Sequence, residues 1–161
     1  SIFATREPSV IKFTPSKLKD CMTLAPQMRY VDVKEIRASS GLPPYDALAF
    51  SINLEGINET IWVNDKIVAM CGIADKGTIG IPWMLGTDAL KINAKSLLPI
   101  SKKWVEKHGD KFDLMFNYVS SENLSSIRWL KYLGFTLIRY IPEHGVGRKP
   151  FYEFVRIKED V

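Results

Sequence analysis

The segment Lys66–Ala74 reads KIVAMCGIA, an almost unbroken apolar run. It is far too short for the roughly 18 residues of a membrane span. In a strand, successive side chains point to opposite faces, so apolar residues at both odd and even positions demand cover on both faces. Such a strand belongs in the interior of a sheet with other elements packed above and below it. This reading sets the class as α/β (α+β), a mixed central sheet flanked by helices, and the length fits one domain over 1–161.

The neighbouring segments extend the sheet. Thr60–Val63 reads as a strand that turns at Asn64-Asp65 into Lys66–Ala74. Thr78–Leu85 is the next strand, and Pro82 lies inside it. Proline lacks a ladder donor, so this strand must be at an edge or bulged there. Beyond Gly86 the positions Leu90, Ala94, Leu97, Leu98, Ser101, Trp104 and Val105 step by three and four, predicting one helix that Gly109 stops. Leu114–Ser120 reads as a strand and Glu122–Leu133 as a helix ended by Gly134. Phe135–Tyr140 is a further strand. A loop with Pro142, His144, Gly145 and Arg148 leads to a last strand, Phe151–Ile157.

The N-terminal part is less patterned. Val10–Phe13 reads as a strand. Thr14 and Ser16 are candidate caps for a helix entered at Pro15 and carrying Leu18, Cys21, Met22 and Leu24, with Pro26 limiting it. Val33–Ala38 is expected to be a short helix, residues 39–44 (SSGLPP) a loop, and Tyr45–Leu54 a short buried helix.

Composition closes off several functions. The net charge is +4, and the basic residues are spread along the chain. That pattern fits a solvated surface better than a nucleic-acid face. Trp62, Trp83, Trp104 and Trp129 fall within expected strands and helices, where packing is the simpler role. Cys21, Cys71, His108 and His144 do not stand at zinc-ligand spacing, so no metal site is expected. Cys71 reads as a small core residue. The first ten residues, SIFATREPSV, lack a basic-then-apolar leader pattern.

The most specific string is Ser121–Phe135, SENLSSIRWLKYLGF. An asparagine opens a helix, a small residue follows three positions on, and Gly-Phe closes it before a strand. Asn123, Ser126, Gly134 and Phe135 carry this pattern, which resembles the last motif of the GCN5-related N-acetyltransferase (GNAT) family. With the preceding order of strands and helix, the resemblance covers residues 60–140. It implies a cleft where Leu114–Ser120 splays from Thr78–Leu85, and cofactor contacts at Leu85, Gly86, Thr87, Lys91, Asn123 and Ser126.

The chain departs from that family in two places. The family's loop after the third strand is glycine-rich, and its bare N–H groups cradle the diphosphate of acetyl-CoA. Here the loop is LGTDALKINAKS, with Gly86 alone and the acidic Asp88; Lys91 and Lys95 compensate only as point charges. Seven residues after the asparagine, where many members carry a thiolate-protonating tyrosine, this chain has Leu130. Tyr132 points about 200° around the helix from that position and is no substitute.

Both departures fit a narrower resemblance, to the acetyltransferase-like internal virion proteins of short-tailed bacteriophages. The matching positions are Trp83, Thr87, Asp88, Asn117, Tyr118, Val119, Asn123, Ile127, Arg128, Leu130, Lys131 and Gly134. This resemblance implies a phage-associated, non-catalytic or degenerate protein, acting in the virion or in the cytoplasm of an infected bacterial cell. Its partners would be other virion or host proteins. Acetyl-CoA is then expected to bind weakly or not at all, and no residue is assigned a catalytic role. The alternative is an acetyl-CoA-dependent N-acetyltransferase acting on a protein or small-molecule amine, working by proximity and backbone polarisation of the thioester. Glu122 as a base and His144 in a solvent loop are the remaining ionisable candidates. A carboxylate near a helix start more often serves the helix dipole.

Overall fold

The computed structural model describes residues 8–159. Seven strands form one sheet in the order β1-β2-β3-β4-β5-β7-β6. They are β1 Ile11–Pro15, β2 Gly56–Val63, β3 Lys66–Lys76, β4 Ile79–Gly86, β5 Leu114–Ser120, β6 Thr136–His144 and β7 Lys149–Ile157. Every pair is antiparallel except β4–β5, which is parallel. Six helices cover it: α1 Leu18–Leu24, α2 Tyr30–Ser39, α3 Pro44–Ile52, α4 Ala89–Ile92, α5 Ala94–Gly109 and α6 Leu124–Tyr132.

The apolar run in β3 is buried throughout its length and stands between β2 and β4, as expected. Ile67 and Met70 face one side, against Cys21 and Leu24 of α1 and Ala47 and Leu48 of α3. Val68, Ala69 and Cys71 face the other with Leu97 of α5, and Ile73 packs there with Val105, Met115 and Ile127. Val68 and Ala69 share a face because the register jumps there: Ile61 opposes Ala69 and Trp62 opposes Ile67. Val68 is the extra residue of a β-bulge. The turn into β3 holds Asn64 at φ 49° and Asp65 at φ 63°, both left-handed. Only Asn, Asp and Gly adopt that region readily, so these two residues specify this hairpin.

β4 and β5 pair only at Ile79–Leu114 and Gly80–Met115. Beyond that point they diverge while β4 stays in register with β3 to Gly86. Pro82 lies in the divergent part, opposite Ile73. Its missing donor therefore removes nothing from a ladder, which is how an internal strand accommodates it.

Several local expectations are corrected. Thr14 and Pro15 belong to β1, where Pro15 opposes Glu59 at the edge of the sheet. The helix instead starts at Leu18, with the backbone N–H of Lys17 donating to Asp20 Oδ2 at 3.0 Å. Leu18, Met22 and Phe50 are exposed. The single helix expected after Gly86 is two, because the Asn93 side chain donates to the Ala89 carbonyl at 2.9 Å and its backbone leaves the helical region at ψ 11°. Pro142 and His144 lie in β6, whose far edge is open to solvent and so tolerates proline.

The turn between β6 and β7 docks on the end of α2. The N–H of Gly147 donates to the Ala38 carbonyl at 2.8 Å and that of Val146 to Ser39 at 3.2 Å. Gly145 has φ +72°, and a Cβ there would lie 2.5 Å from the Ala38 oxygen. The last carbonyls of α2, which have no partner within the helix, thus find donors in the turn.

Candidate functional site

The divergence of β4 and β5 leaves backbone groups of both strands facing a gap. The hydrogen bonds identify which ones. The Pro82 carbonyl accepts from Asn117 Nδ2 at 2.8 Å, and Asn117 Oδ1 accepts from the Tyr118 N–H at 2.8 Å. A β5 side chain therefore crosses the gap and occupies one group of each strand.

Further out, α2 closes the mouth. Arg29, Asp32 and Glu35 are spaced by three and share one helix face. Asp32 Oδ2 accepts from the Gly86 N–H at 2.9 Å, at the end of β4. Glu35 Oε1 accepts from the Ser120 N–H at 2.6 Å, at the end of β5. Arg29 forks onto Asp32 at 2.7 and 3.0 Å and also donates to Ser126 Oγ at 3.1 Å. Its own N–H donates to the Gly86 carbonyl at 2.8 Å. Asp32 is buried and the Arg29 guanidinium nearly so. Two carboxylates and one guanidinium thus staple the two arms of the sheet together.

Inside the staple lies a cleft of about 400 Å³. Its walls are Pro82, Trp83 and Leu85 of β4, Tyr118 and Val119 of β5, and side chains from α2, α5 and α6. His144 is not a solvent-loop residue. It is stacked between Tyr118 at 4.3 Å and Phe151 at 4.7 Å, and this desolvation lowers its pKa. Leu130 also lines the cleft, whereas Tyr132 is exposed against Lys102.

The residues named from the sequence fall as follows. Leu85 and Ser126 line the cleft. Asn123 is buried and caps α6, its Oδ1 accepting from the Ser126 N–H at 3.3 Å. Its Nδ2 is turned to Glu35 at 3.4 Å. Gly86 gives its N–H to Asp32; its lack of a Cβ admits Leu90, whose Cδ1 would lie 2.1 Å from one. Thr87 is buried, with both its N–H and its hydroxyl on the Val68 carbonyl. Lys91 is exposed on α4. Glu122 is exposed and pairs with Lys34 at 3.2 Å.

These contacts bear on an anionic cofactor. The N–H groups of Gly86, Thr87, Ala89, Leu90 and Lys91 each donate within the chain. These five donors are thus occupied within the chain, and the charges gathered at the strand ends are the Asp32 and Glu35 carboxyls with the Arg29 guanidinium. This loop therefore offers a diphosphate fewer free donors than a glycine-rich loop does. The loop's poverty in glycine was legible in the sequence. The staple was not, because acids three apart on a helix also describe any solvated face.

Glu35 is the most perturbed carboxyl of the site. Desolvation pushes it up to about 7, against the opposing pull of the Ser120 N–H. An acid whose folded pKa lies above its unfolded value binds its proton more tightly when folded. Stability therefore falls as pH rises from about 4.5 to about 7. Thermal melts across that range are expected to lose about 1–3 kcal/mol, and Glu35→Gln to flatten the slope.

Asn123→Asp is a second test of the same cluster. Aspartate is as good a cap as asparagine, but here it sets a second carboxylate against Glu35. The variant is expected to be near wild type at pH 5, where Glu35 is protonated, and about 1–2 kcal/mol less stable at pH 8. Equal loss at both pH values would mean that Glu35 does not carry the effect.

No family model and no curated protein sequence matches the chain. Solved structures do. The Escherichia coli ribosomal-protein-S18-alanine N-acetyltransferase superposes with a TM-score of 0.68 at 13% identity, covering 94% of this chain and 96% of that one. A GNAT-family acetyltransferase from Bacillus anthracis gives 0.67 at 12%, covering 93% and 96%. The Salmonella typhimurium protein yncA, solved with acetyl-CoA as its cofactor, gives 0.64 at 16%, covering 94% and 95%. The fold is that of the GNAT acetyltransferases, as the helix at Asn123 and the order of strands implied.

Proposed function

We propose that this chain is a phage-associated protein that keeps the GNAT fold but has closed its cofactor cleft, and that it acts by binding rather than by acetyl transfer. Its setting would be the virion or the cytoplasm of an infected bacterial cell, with virion or host proteins as partners. The observation that carries the reading is the α2 staple. Asp32 and Glu35 take the strand-end N–H groups at the mouth of the cleft, and they bring negative charge where an anionic cofactor would need donors. The sequence resemblance to internal virion proteins supports the same reading, since leucine in place of the thiolate-protonating tyrosine belongs to that group.

The test is isothermal titration with acetyl-CoA at pH 8. A Kd weaker than about 100 µM is expected, and one in the low micromolar range or tighter would sink the proposal.

A second reading has one observation in its favour. Glu35, poised near 7, and His144 line the same cleft, and a base with such a pKa suits proton removal from an attacking amine. On that reading the chain is an N-acetyltransferase. Release of free thiol from acetyl-CoA in the presence of an amine panel, abolished by Glu35→Gln, would establish it.

A further inference from the structure

Besides the face that staples the sheet, α2 has an outer one. Tyr30, Val31, Lys34, Arg37 and Ala38 follow the helical spacing of one face. All five line a groove of about 400 Å³. The opposite wall is Ser120, Glu122 and Asn123, where β5 leads into α6, with Gly147, Lys149 and Pro150 from the β6–β7 turn and the start of β7. Both walls are fixed in place. The Gly147 N–H donates to the Ala38 carbonyl at 2.8 Å, and the Ser121 N–H to the Pro150 carbonyl at 3.0 Å. A groove held in this way needs little ordering before a ligand fills it.

Its chemistry is graded along its length. At one end Tyr30 is 74% exposed and Val31 is exposed beside it. At the other stand Arg37 and Lys149, both exposed. Among the described residues neither of these pairs with a carboxylate. Between the two ends Lys34 reaches Glu122 at 3.2 Å. Glu35 also lines the groove, but its carboxyl is turned onto the Ser120 N–H and the Asn123 amide. Three exposed cations thus face one exposed carboxylate, and the chain supplies that carboxylate itself. Exposed pairs of this kind are weak, so a carboxylate from outside can take the place of Glu122. An exposed tyrosine beside an arginine is a composition typical of protein-binding surfaces. From Tyr30 to Arg37 the helix rises about 11 Å, the span of about three extended residues. A nucleic acid would need a run of cations to match its phosphates, and Glu122 interrupts this one.

We propose that this groove docks an acidic segment of a partner protein, with an apolar side chain against Tyr30 and Val31 and carboxylates on Arg37, Lys149 and Lys34 in place of Glu122. The inference rests on the reading that the chain acts by binding protein partners, and it adds the surface and the chemistry of the bound segment.

The probe is the peptide acetyl-Phe-Ser-Asp-Glu-amide, titrated at pH 7 in low salt and followed through backbone amide resonances in proton–nitrogen correlation spectra. Resonances of Tyr30–Ala38, Glu122 and Gly147 are expected to move, and those of α5, across the sheet, to stay. Arg37→Glu and Lys149→Glu should each weaken the peptide about tenfold or more. Tyr30→Ala should weaken it about threefold to tenfold. Lys103→Glu, the same charge change on α5, should have less than about a twofold effect, because salt screens distant charges. Glu122→Gln should tighten binding about twofold to fivefold, since it removes the resident competitor. All five positions are exposed, and thermal melts check that each variant remains folded. The proposal is overturned if the peptide moves no groove resonance at about 5 mM, if acetyl-Phe-Ser-Asn-Gln-amide binds equally well, if Lys103→Glu weakens the peptide as much as Arg37→Glu, or if Glu122→Gln weakens it. Tighter binding of an octathymidylate to the same residues would overturn it in favour of a nucleic acid. Acetyl-CoA titrated in a separate sample keeps the readings apart. Its tight binding defeats the reading of the chain as a binding protein, whereas failure of the peptide alone defeats only the present inference.

Discussion

Asp32→Ala is expected to cost about 3–5 kcal/mol, with a melting temperature lower by about 10 °C or more. The residue is 2% exposed and touches two groups that cannot turn to solvent. One is the Arg29 guanidinium, which would retain only Ser126 Oγ. The other is the Gly86 N–H at the end of β4. Removing one partner of a buried pair leaves the other charge desolvated, and this residual cost is larger than the net worth of the pair itself. Asp32→Asn keeps an acceptor and should lose less than half as much. The alanine variant also reverses the electrostatics of the mouth, leaving a cation and a free N–H where a carboxylate stood. A gain in acetyl-CoA affinity beside the loss of stability would tie the two effects to the same closed cleft. A loss below about 1 kcal/mol would mean that the staple contributes little to the fold.

Phe151→Ala is the second large change, at about 3–5 kcal/mol by chemical denaturation. Phe151 is 1% exposed, sits opposite Ser120 and Ile141 in the ladder, and forms one wall of the cleft. Loss of its ring opens a void that rigid strands on both sides cannot close. It also bares one face of His144, whose ring lies 4.7 Å away. The desolvation that lowers the histidine pKa is then relieved, so the imidazole should titrate at higher pH by NMR. Phe151→Leu fills most of the space and should lose about half as much.

The sheet was legible because its signals are local. The apolar run in β3, the Asn64-Asp65 turn, Pro82 and the Asn123 helix each act over a few residues, and each led to the right neighbour. Leu114–Ser120 was located to the residue. Elements set by competition were not. Asn93 splits a helix whose apolar spacing runs straight through it, because its side chain takes a carbonyl that periodicity does not register. Pro15 and Pro142 sit in edge strands, a context that depends on which strands are neighbours. The site was less visible still. Asp32 and Glu35 meet Gly86 and Ser120 only after the sheet has splayed, and His144 meets Tyr118 only once β6 and β7 pair.

The docking of the β6–β7 turn on α2 has a consequence for biosynthesis. The helix emerges from the ribosome early, and the turn that supplies donors to its last carbonyls follows roughly a hundred residues later, some seconds at ordinary elongation rates. Ser120, the anchor of Glu35, also comes late. The nascent chain therefore carries α2 with its C-terminal end and one of its acids unengaged until the final hairpin is made. Closing so distant a contact is entropically slow, which places completion of the cleft among the last events of folding. A chain cut short before Gly145 would lack β7, the strand that joins β5 to β6, and would leave its α2 without the clasp.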